Sequence, residues 1–302
     1  MIMKPAQFES GLVRLPSWFK QDLPDMEKIQ QMKSLFRGSR LHTVCESAHC
    51  PHLGKCWGEG VATFMILGEV CTRACRFCAV KAGRAQDLDA DEPFNVALAV
   101  RELRLRYVVI TSVARDDLKD EGAQHFVDTI QAIRRLTPEV KIEVLIPDFS
   151  AKYDSLHMLT TAQPQVASHN IETVRRLAPD IRPQANHERS LKVLRMMRQM
   201  NENIFIKSSF MVGLGETDEE IMELMKELLE AGCQILTIGQ YLAPTRMKRH
   251  VKVKRFATPE EFERYRRIGM DMGFKYVMSG PKVRSSYIAE EGYRECMKAF
   301  EQ

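Results

Sequence analysis

From residue 61 onward, short runs rich in β-branched residues alternate with amphipathic stretches of helical period. Strands are expected near Ala62–Leu67, Tyr107–Thr111, Val140–Ile146, Gln165–Ala167, Ile204–Val212 and Gln234–Ile238. Helices are expected near Phe94–Leu105, Gly122–Leu136, Lys152–Thr161, Ile171–Leu177 with His187–Met200, Asp218–Ala231 and Pro259–Met272. Strand and helix units repeated in this way imply a parallel sheet with right-handed crossovers. Thr217 followed by Glu220 has the spacing of a capping box, and Thr258, Pro259 and Glu261 form a similar helix start. Cys71, Thr111 with Ser112, Pro147 with Asp148, His169 with Asn170, Gly213–Glu216 and Gly239–Tyr241 all fall just after expected strands. In barrels and open doubly wound sheets alike, that edge carries the chemistry.

The chain has 302 residues, 44% hydrophobic and 28% charged, which excludes disorder, coiled coil and collagen. Its longest mostly apolar runs, Val61–Leu67 and Phe210–Leu214, fall short of the roughly 20 residues of a membrane-spanning helix. The segment MIMKPAQFES GLVRLPSWFK has no apolar stretch behind its basic residues, so no export signal is expected and the cytoplasm is the expected location. A net charge of +4, from 44 basic and 40 acidic residues, makes no case for nucleic acid. Residues 1–60, with Pro5, Pro16, Pro24 and Pro51, are irregular in pattern and are expected to form an extension.

Thiols of a cytoplasmic chain stay reduced, so close cysteine spacings point to metal ligands or redox groups. The string CTRACRFC places Cys71, Cys75 and Cys78 at CxxxCxxC spacing directly after the first expected strand. Three thiolates on a short loop leave one iron of a 4Fe-4S cluster open to a substrate or cofactor. A structural zinc loop is the plain alternative, but no fourth Cys or His lies close by within the loop. A second trio, Cys45, Cys50 and Cys56, stands upstream in CESAHCPHLGKC. There a zinc site using His49 or His52 is the alternative. Cys233 and Cys296 are isolated, and Cys233 is expected to be a buried thiol.

The first trio at the end of the first strand resembles the radical S-adenosylmethionine superfamily. The strings ATFMILGEVCTRACRFCAV, LRYVVITSVARDDL, IEVLIPDF, HNIETV, MVGLGETDEE, LTIGQYLAPT and SGPKVRSSY narrow the resemblance, over roughly residues 40–290, to the lipoyl synthase family. The resemblance implies a partial (β/α)6 barrel over residues 61–280, an extension at 1–60 carrying the auxiliary cysteines, and a tail at 281–302. It implies two 4Fe-4S clusters and S-adenosylmethionine as cofactors. Cys71, Cys75 and Cys78 would hold the cluster that cleaves S-adenosylmethionine, and Cys45, Cys50, Cys56 and Ser286 of RSSY the sulfur-donating one, with Ser285 the runner-up to Ser286. Phe77, Thr111, Ser112, Asn170, Glu172, Lys207 and Glu216 would contact S-adenosylmethionine. Phe77 has core packing as its plain alternative, Glu172 and Lys207 an ion pair, and Glu216 a simple turn.

The implied reaction inserts two sulfur atoms, at C6 and C8 of a protein-bound octanoyl-lysine. The implied partners are octanoylated lipoyl carrier domains or H protein, an electron donor such as ferredoxin or flavodoxin, and an iron-sulfur carrier for cluster repair, with no nucleic acid or membrane. Ala114, Ala167, Ser168 and Ser209 depart from the family's usual residues, which leaves open a paralogue acting on another substrate; a non-enzymatic iron-sulfur or zinc binding protein is the further alternative. The run RMKRHVKVKR, residues 246–255, holds no acid. It reads as a solvated loop or as a docking surface for an acidic protein such as a carrier domain.

Overall fold

The computed structural model describes residues 15–20, 26–47, 53 and 63–298. Two-residue β1 (His42–Thr43) pairs antiparallel with β2 (Thr63–Ile66). After the small β3 (Val70–Cys71) and β4 (Lys81–Ala82) come β5 (Tyr107–Ser112), β6 (Lys141–Leu145), β7 (Val166–Ser168), β8 (Phe205–Val212), β9 (Ile235–Gln240) and β10 (Tyr276–Gly280). The large sheet has the order β1-β2-β5-β6-β7-β8-β9-β10, parallel throughout from β2 to β10. Its ends, β1 and β10, are not neighbours. The architecture is therefore a partial (β/α)6 barrel lengthened by one further parallel strand.

The helices are α1 (Met26–Gly38), α2 (Val44–Ser47), α3 (Glu92–Glu102), α4 (Ala123–Leu136), α5 (Tyr153–Thr161), α6 (Ala178–Ile181), α7 (His187–Met200), α8 (Asp218–Glu230), α9 (Pro259–Met272) and α10 (Ala289–Lys298). Both capping boxes form: Thr217 starts α8 and Thr258 starts α9 with Pro259 in its first turn. Among the described residues no helix is long and apolar enough to cross a membrane.

Three differences from the sequence reading have physical causes. The extension is not irregular over residues 26–38, because Ile29, Met32 and Phe36 share one face of α1 and are buried. Residues 171–177 are not helical: Glu172 takes φ +66° and bridges to Phe210, its N–H donating to Ser209 and its carbonyl accepting from Met211. That pairing prolongs the edge of β8, and helix begins only at α6. Finally, β10 and α10 extend the order beyond the elements expected.

Residue alternation divides the sheet. Val108, Ile110, Ile142, Val144 and Ile206 belong to the apolar core shared with the helices. Their strand neighbours Tyr107, Glu143 and Lys207 face the other way, into the barrel. Lys207 Nζ lies 2.7 Å from Glu143 Oε1, although β7 separates their strands, and Tyr107 Oη donates to Glu143 Oε2 at 2.7 Å. Beneath them α10 closes the barrel. Cys296 packs with Val166, Phe205 and Ile235, all first residues of strands or next to them, and the Tyr293 ring stands 6.0 Å from both Tyr107 and Phe205.

Candidate active site

The first cysteine trio sits on a loop whose base is tied. Val70 pairs with Lys81 and Cys71 with Ala82, and Gly83 N–H donates to the Cys71 carbonyl at 2.9 Å. Cys71 Sγ accepts from the amides of Ala114 (3.3 Å) and Arg73 (3.4 Å). Burial pushes the Cys75 thiol up to about 11 and the Cys78 thiol up to about 12, so metal binding here must displace protons. The thiols are not drawn to one point: among the described residues no three His, Cys, Asp or Glu side chains already stand as a metal site.

Arg73 fastens this loop to two neighbouring strand ends. Its guanidinium pairs with Asp116 beyond β5 and, at 2.7 Å, with Asp148 beyond β6, which in turn takes Arg189 of α7 at 2.8 Å. Burial alone would raise the Asp148 carboxyl, but the bond from Arg73 and its charged neighbours hold it well below the usual carboxylate range. His169 next to Asn170 is fully enclosed. Nδ1 meets the Ile146 carbonyl at 3.0 Å and Nε2 the Ser190 hydroxyl at 2.9 Å. A carbonyl only accepts, so Nδ1 carries the proton.

Several of the expected cofactor residues collect at these strand ends. Ser112 Oγ and Asn170 Oδ1 are buried without a hydrogen-bond partner among the described residues. Glu172 takes a hydrogen bond from Asn170 and acts electrostatically on Cys75 and Cys78, while burial raises its own carboxyl. Phe77 packs on an apolar cluster of Leu214, Tyr241, Val251 and Ile181. Thr111 spends its hydroxyl on the Leu145 carbonyl at 3.0 Å. Both oxygens of Glu216 serve its own turn, accepting from Gly213, Leu214 and Gly215 amides at 2.6–3.0 Å. Gly213 is required there: its φ is +99°, and a Cβ would fall 2.6 Å from the Arg255 carbonyl. Lys207 is not among this group, because its buried ammonium is matched by Glu143 inside the barrel.

Of the second trio, Cys45 is packed into the main core at the start of α2, and Cys50 and Cys56 lie outside the described residues. RSSY follows β10 as a turn closed by Tyr287 N–H on the Arg284 carbonyl (2.9 Å), and Arg284 Nη1 donates to the Gln240 carbonyl at the end of β9. Ser285 and Ser286 are both half-buried on that turn. The tail lies so close to β9 that a Cβ at Gly239 would meet the Val283 carbonyl at 2.2 Å.

Residues 65–228 match the family model described as the radical SAM superfamily, and residues 5–50 that described as the N-terminal domain of lipoyl synthase. The lipoyl synthase of Rubrobacter xylanophilus is 52% identical over 287 residues, covering 95% of this chain and 89% of that one. The lipoyl synthase of Geobacillus kaustophilus is 51% identical over 95% of this chain and 96% of its own. The chain belongs to the lipoyl synthase family. Streptococcus suis SuiB bound to S-adenosylmethionine shares its fold with a TM-score of 0.53 at 13% identity, over 73% of this chain and 50% of that one. HydG, a maturase of the FeFe-hydrogenase, does so with a TM-score of 0.58 at 12% identity, over 70% and 49%.

The residues present suit the cofactors of a lipoyl synthase family member. Three thiols share one anchored loop, one sulfur already accepts backbone amides, and two unpartnered oxygens stand at the ends of β5 and β7. Sequence reasoning missed Arg182. It is 6% exposed, donates to the Ile171 carbonyl at 2.8 Å, and is the first charged group acting on Cys75 and on Glu172. A lone Arg before Pro183 carries no local signal of this.

Proposed function

We propose that this chain makes the lipoyl group, inserting sulfur at C6 and C8 of an octanoyl chain held on a carrier-protein lysine. Cys71, Cys75 and Cys78 would hold one 4Fe-4S cluster, and Cys45, Cys50, Cys56 and Ser286 the other. Bound there, the first cluster and S-adenosylmethionine supply a 5′-deoxyadenosyl radical, a reagent strong enough for an unactivated C–H bond, and the second supplies sulfur. The protein's own part is positional. Arg73 holds the cysteine loop against two strand ends, Ser112 and Asn170 offer polar atoms with no other use, and Phe77 with Leu214 and Val251 keeps one side dry. Glu216 preserves the turn that presents Leu214. Glu172 and Arg182 set the charge beside Cys75.

The observation that carries this reading is the anchored three-thiol loop at the same sheet edge as the unpartnered Ser112 Oγ and Asn170 Oδ1. Octanoylated lipoyl carrier domains or H protein are the substrates we assign. A ferredoxin or flavodoxin would supply electrons, an iron-sulfur carrier would rebuild the spent cluster, and the cytoplasm would be the place of action. The test is anaerobic reconstitution with S-adenosylmethionine, dithionite and an octanoyl-lysine peptide. Mass spectrometry should find a product with two added sulfur atoms, and 5′-deoxyadenosine should form. Zinc in place of iron, or 5′-deoxyadenosine without any sulfur product from an enzyme carrying both clusters, would overturn the assignment.

A further inference from the structure

The basic run after β9 is neither loose nor remote. Its inner side is bonded to the first cysteine loop: Val251 N–H donates to the Arg76 carbonyl at 3.1 Å, and Arg76 Nε donates back to the Arg249 carbonyl at 3.3 Å. His250 Nε2 lies 3.0 Å from the carbonyl of Cys78, while its Nδ1 meets the Thr245 hydroxyl at 2.7 Å. Tyr241 Oη donates to the Val251 carbonyl at 2.7 Å, and the Val251 side chain packs in the same apolar cluster as Phe77. The run is thus a strap across the outside of residues 76–78.

Its outer side is cationic and unused. Arg246, Lys248, Arg249 and Lys252 are exposed, and none has a carboxylate within ion-pair reach among the described residues. Arg255, by contrast, is occupied by Glu261 at 2.7 Å and Glu216 at 3.8 Å. Met247, 60% exposed, stands among the free cations. An apolar tip ringed by charge suits a small, transient, electrostatically steered contact.

We propose that the strap Arg246–Lys252 is the docking face for a small acidic one-electron carrier protein that reduces the cluster loop beneath it. The inference rests on the lipoyl-synthase reading, which requires an electron for each S-adenosylmethionine cleaved. One electron leaves the donor's redox centre, which is oxidised, and enters the cluster, which is reduced. A single hydrogen bond joins His250 of the strap to the residue bearing the third thiol. A carrier domain has no need of that contact, because it works through a lysine arm that reaches away from its surface. Electron and substrate must also be present in one turnover, so the two partners require separate faces.

The experiment compares wild-type holoenzyme with the Lys248→Gln/Arg249→Gln/Lys252→Gln variant, using flavodoxin as the probe. A Lys192→Gln/Arg195→Gln/Lys226→Gln variant serves as a control with the same change in charge on other exposed positions. Binding of oxidised flavodoxin, followed by thermophoresis, should weaken roughly tenfold in the strap variant and lose much of its salt dependence, with the control unchanged. Formation of 5′-deoxyadenosine driven by reduced flavodoxin should fall by a similar factor, while the dithionite-driven rate stays within about twofold of wild type. Unchanged flavodoxin binding overturns the proposal. So does an equal loss with both reductants, which would make the strap structural, or a dithionite-driven loss confined to an octanoylated carrier domain, which would make that domain the occupant. If wild type with dithionite forms no 5′-deoxyadenosine, the functional reading falls, and the binding measurement still decides the docking face.

Discussion

His169 is enclosed between the Ile146 carbonyl and the Ser190 hydroxyl, and burial, reinforced by Arg182, pushes its pKa down to about 4. The unfolded value is about 6.5, so the folded state prefers the neutral ring. The resulting stability is complete above that value and is lost as pH falls from it towards 4. Between pH 7.5 and pH 5, wild type should lose about 2 kcal/mol more than His169→Gln, read from urea midpoints. Equal losses would mean that the ring titrates normally. An oxygen ligand is weak for iron, so Ser286→Ala should keep most iron and most 5′-deoxyadenosine yet give little lipoyl product, and Ser286→Cys should bind iron more tightly and release sulfur less readily. Ser285→Ala should be milder; the reverse ranking would move the ligand by one position. At this scale the cysteines were legible because spacing alone gathers them on one loop. Arg182 and the Glu143–Lys207 pair were not, because their meaning comes from partners 10 or more positions away that no local pattern links.

The cysteine loop depends on the ends of β5 and β6 as much as on its own residues. Arg73 is 8% exposed and Asp148 is 0% exposed, so neither charge has water to fall back on. Breaking a buried pair costs about 3–5 kcal/mol; without Asp148, Arg189 loses its carboxylate while Arg73 keeps Asp116, which sets the cost at the lower end of that range. Asp148→Asn should lower thermal stability by that order and reduce the iron retained per chain after anaerobic desalting, while Asp271→Asn, on an exposed carboxylate with no ion pair among the described residues, should do neither. Because the Asp148 carboxyl is held low, its contribution is complete above the unfolded carboxylate value and is lost progressively as pH falls from there towards the much lower folded value. The central βα units were legible because β5, β6, β8 and β9 are short runs buried along most of their length and their helices carry one apolar face. β10 was not, being half-exposed along most of its length, and α10 hides its few buried positions, Ala289, Gly292 and Cys296, among charged residues.

Across the whole molecule, the barrel carries a polar centre between an apolar floor and the functional edge. Tyr107, Glu143 and Lys207 form that centre, and burial together with Glu143 raises the Tyr107 hydroxyl far above its ordinary value. If Lys207 serves the fold alone, Lys207→Met should destabilise by about 3–5 kcal/mol, and adding Glu143→Leu should restore most of the loss, since an apolar pair can replace a buried ion pair. S-adenosylmethionine affinity of the restored double variant, measured calorimetrically on reconstituted protein, should match wild type. A large loss there would return Lys207 to the cofactor. The floor itself is α10, and the segment leading to it passes the end of β9 at Gly239. Ribosomal synthesis therefore delivers the lid of the barrel after every strand it covers. Until residues 283–298 have emerged, the Glu143–Lys207 pair faces water from below, and the nascent barrel is open at both ends. Docking of α10 thus marks completion of the barrel: while it is undocked, Phe205 and Ile235 stay uncovered and open to a protease or chaperone.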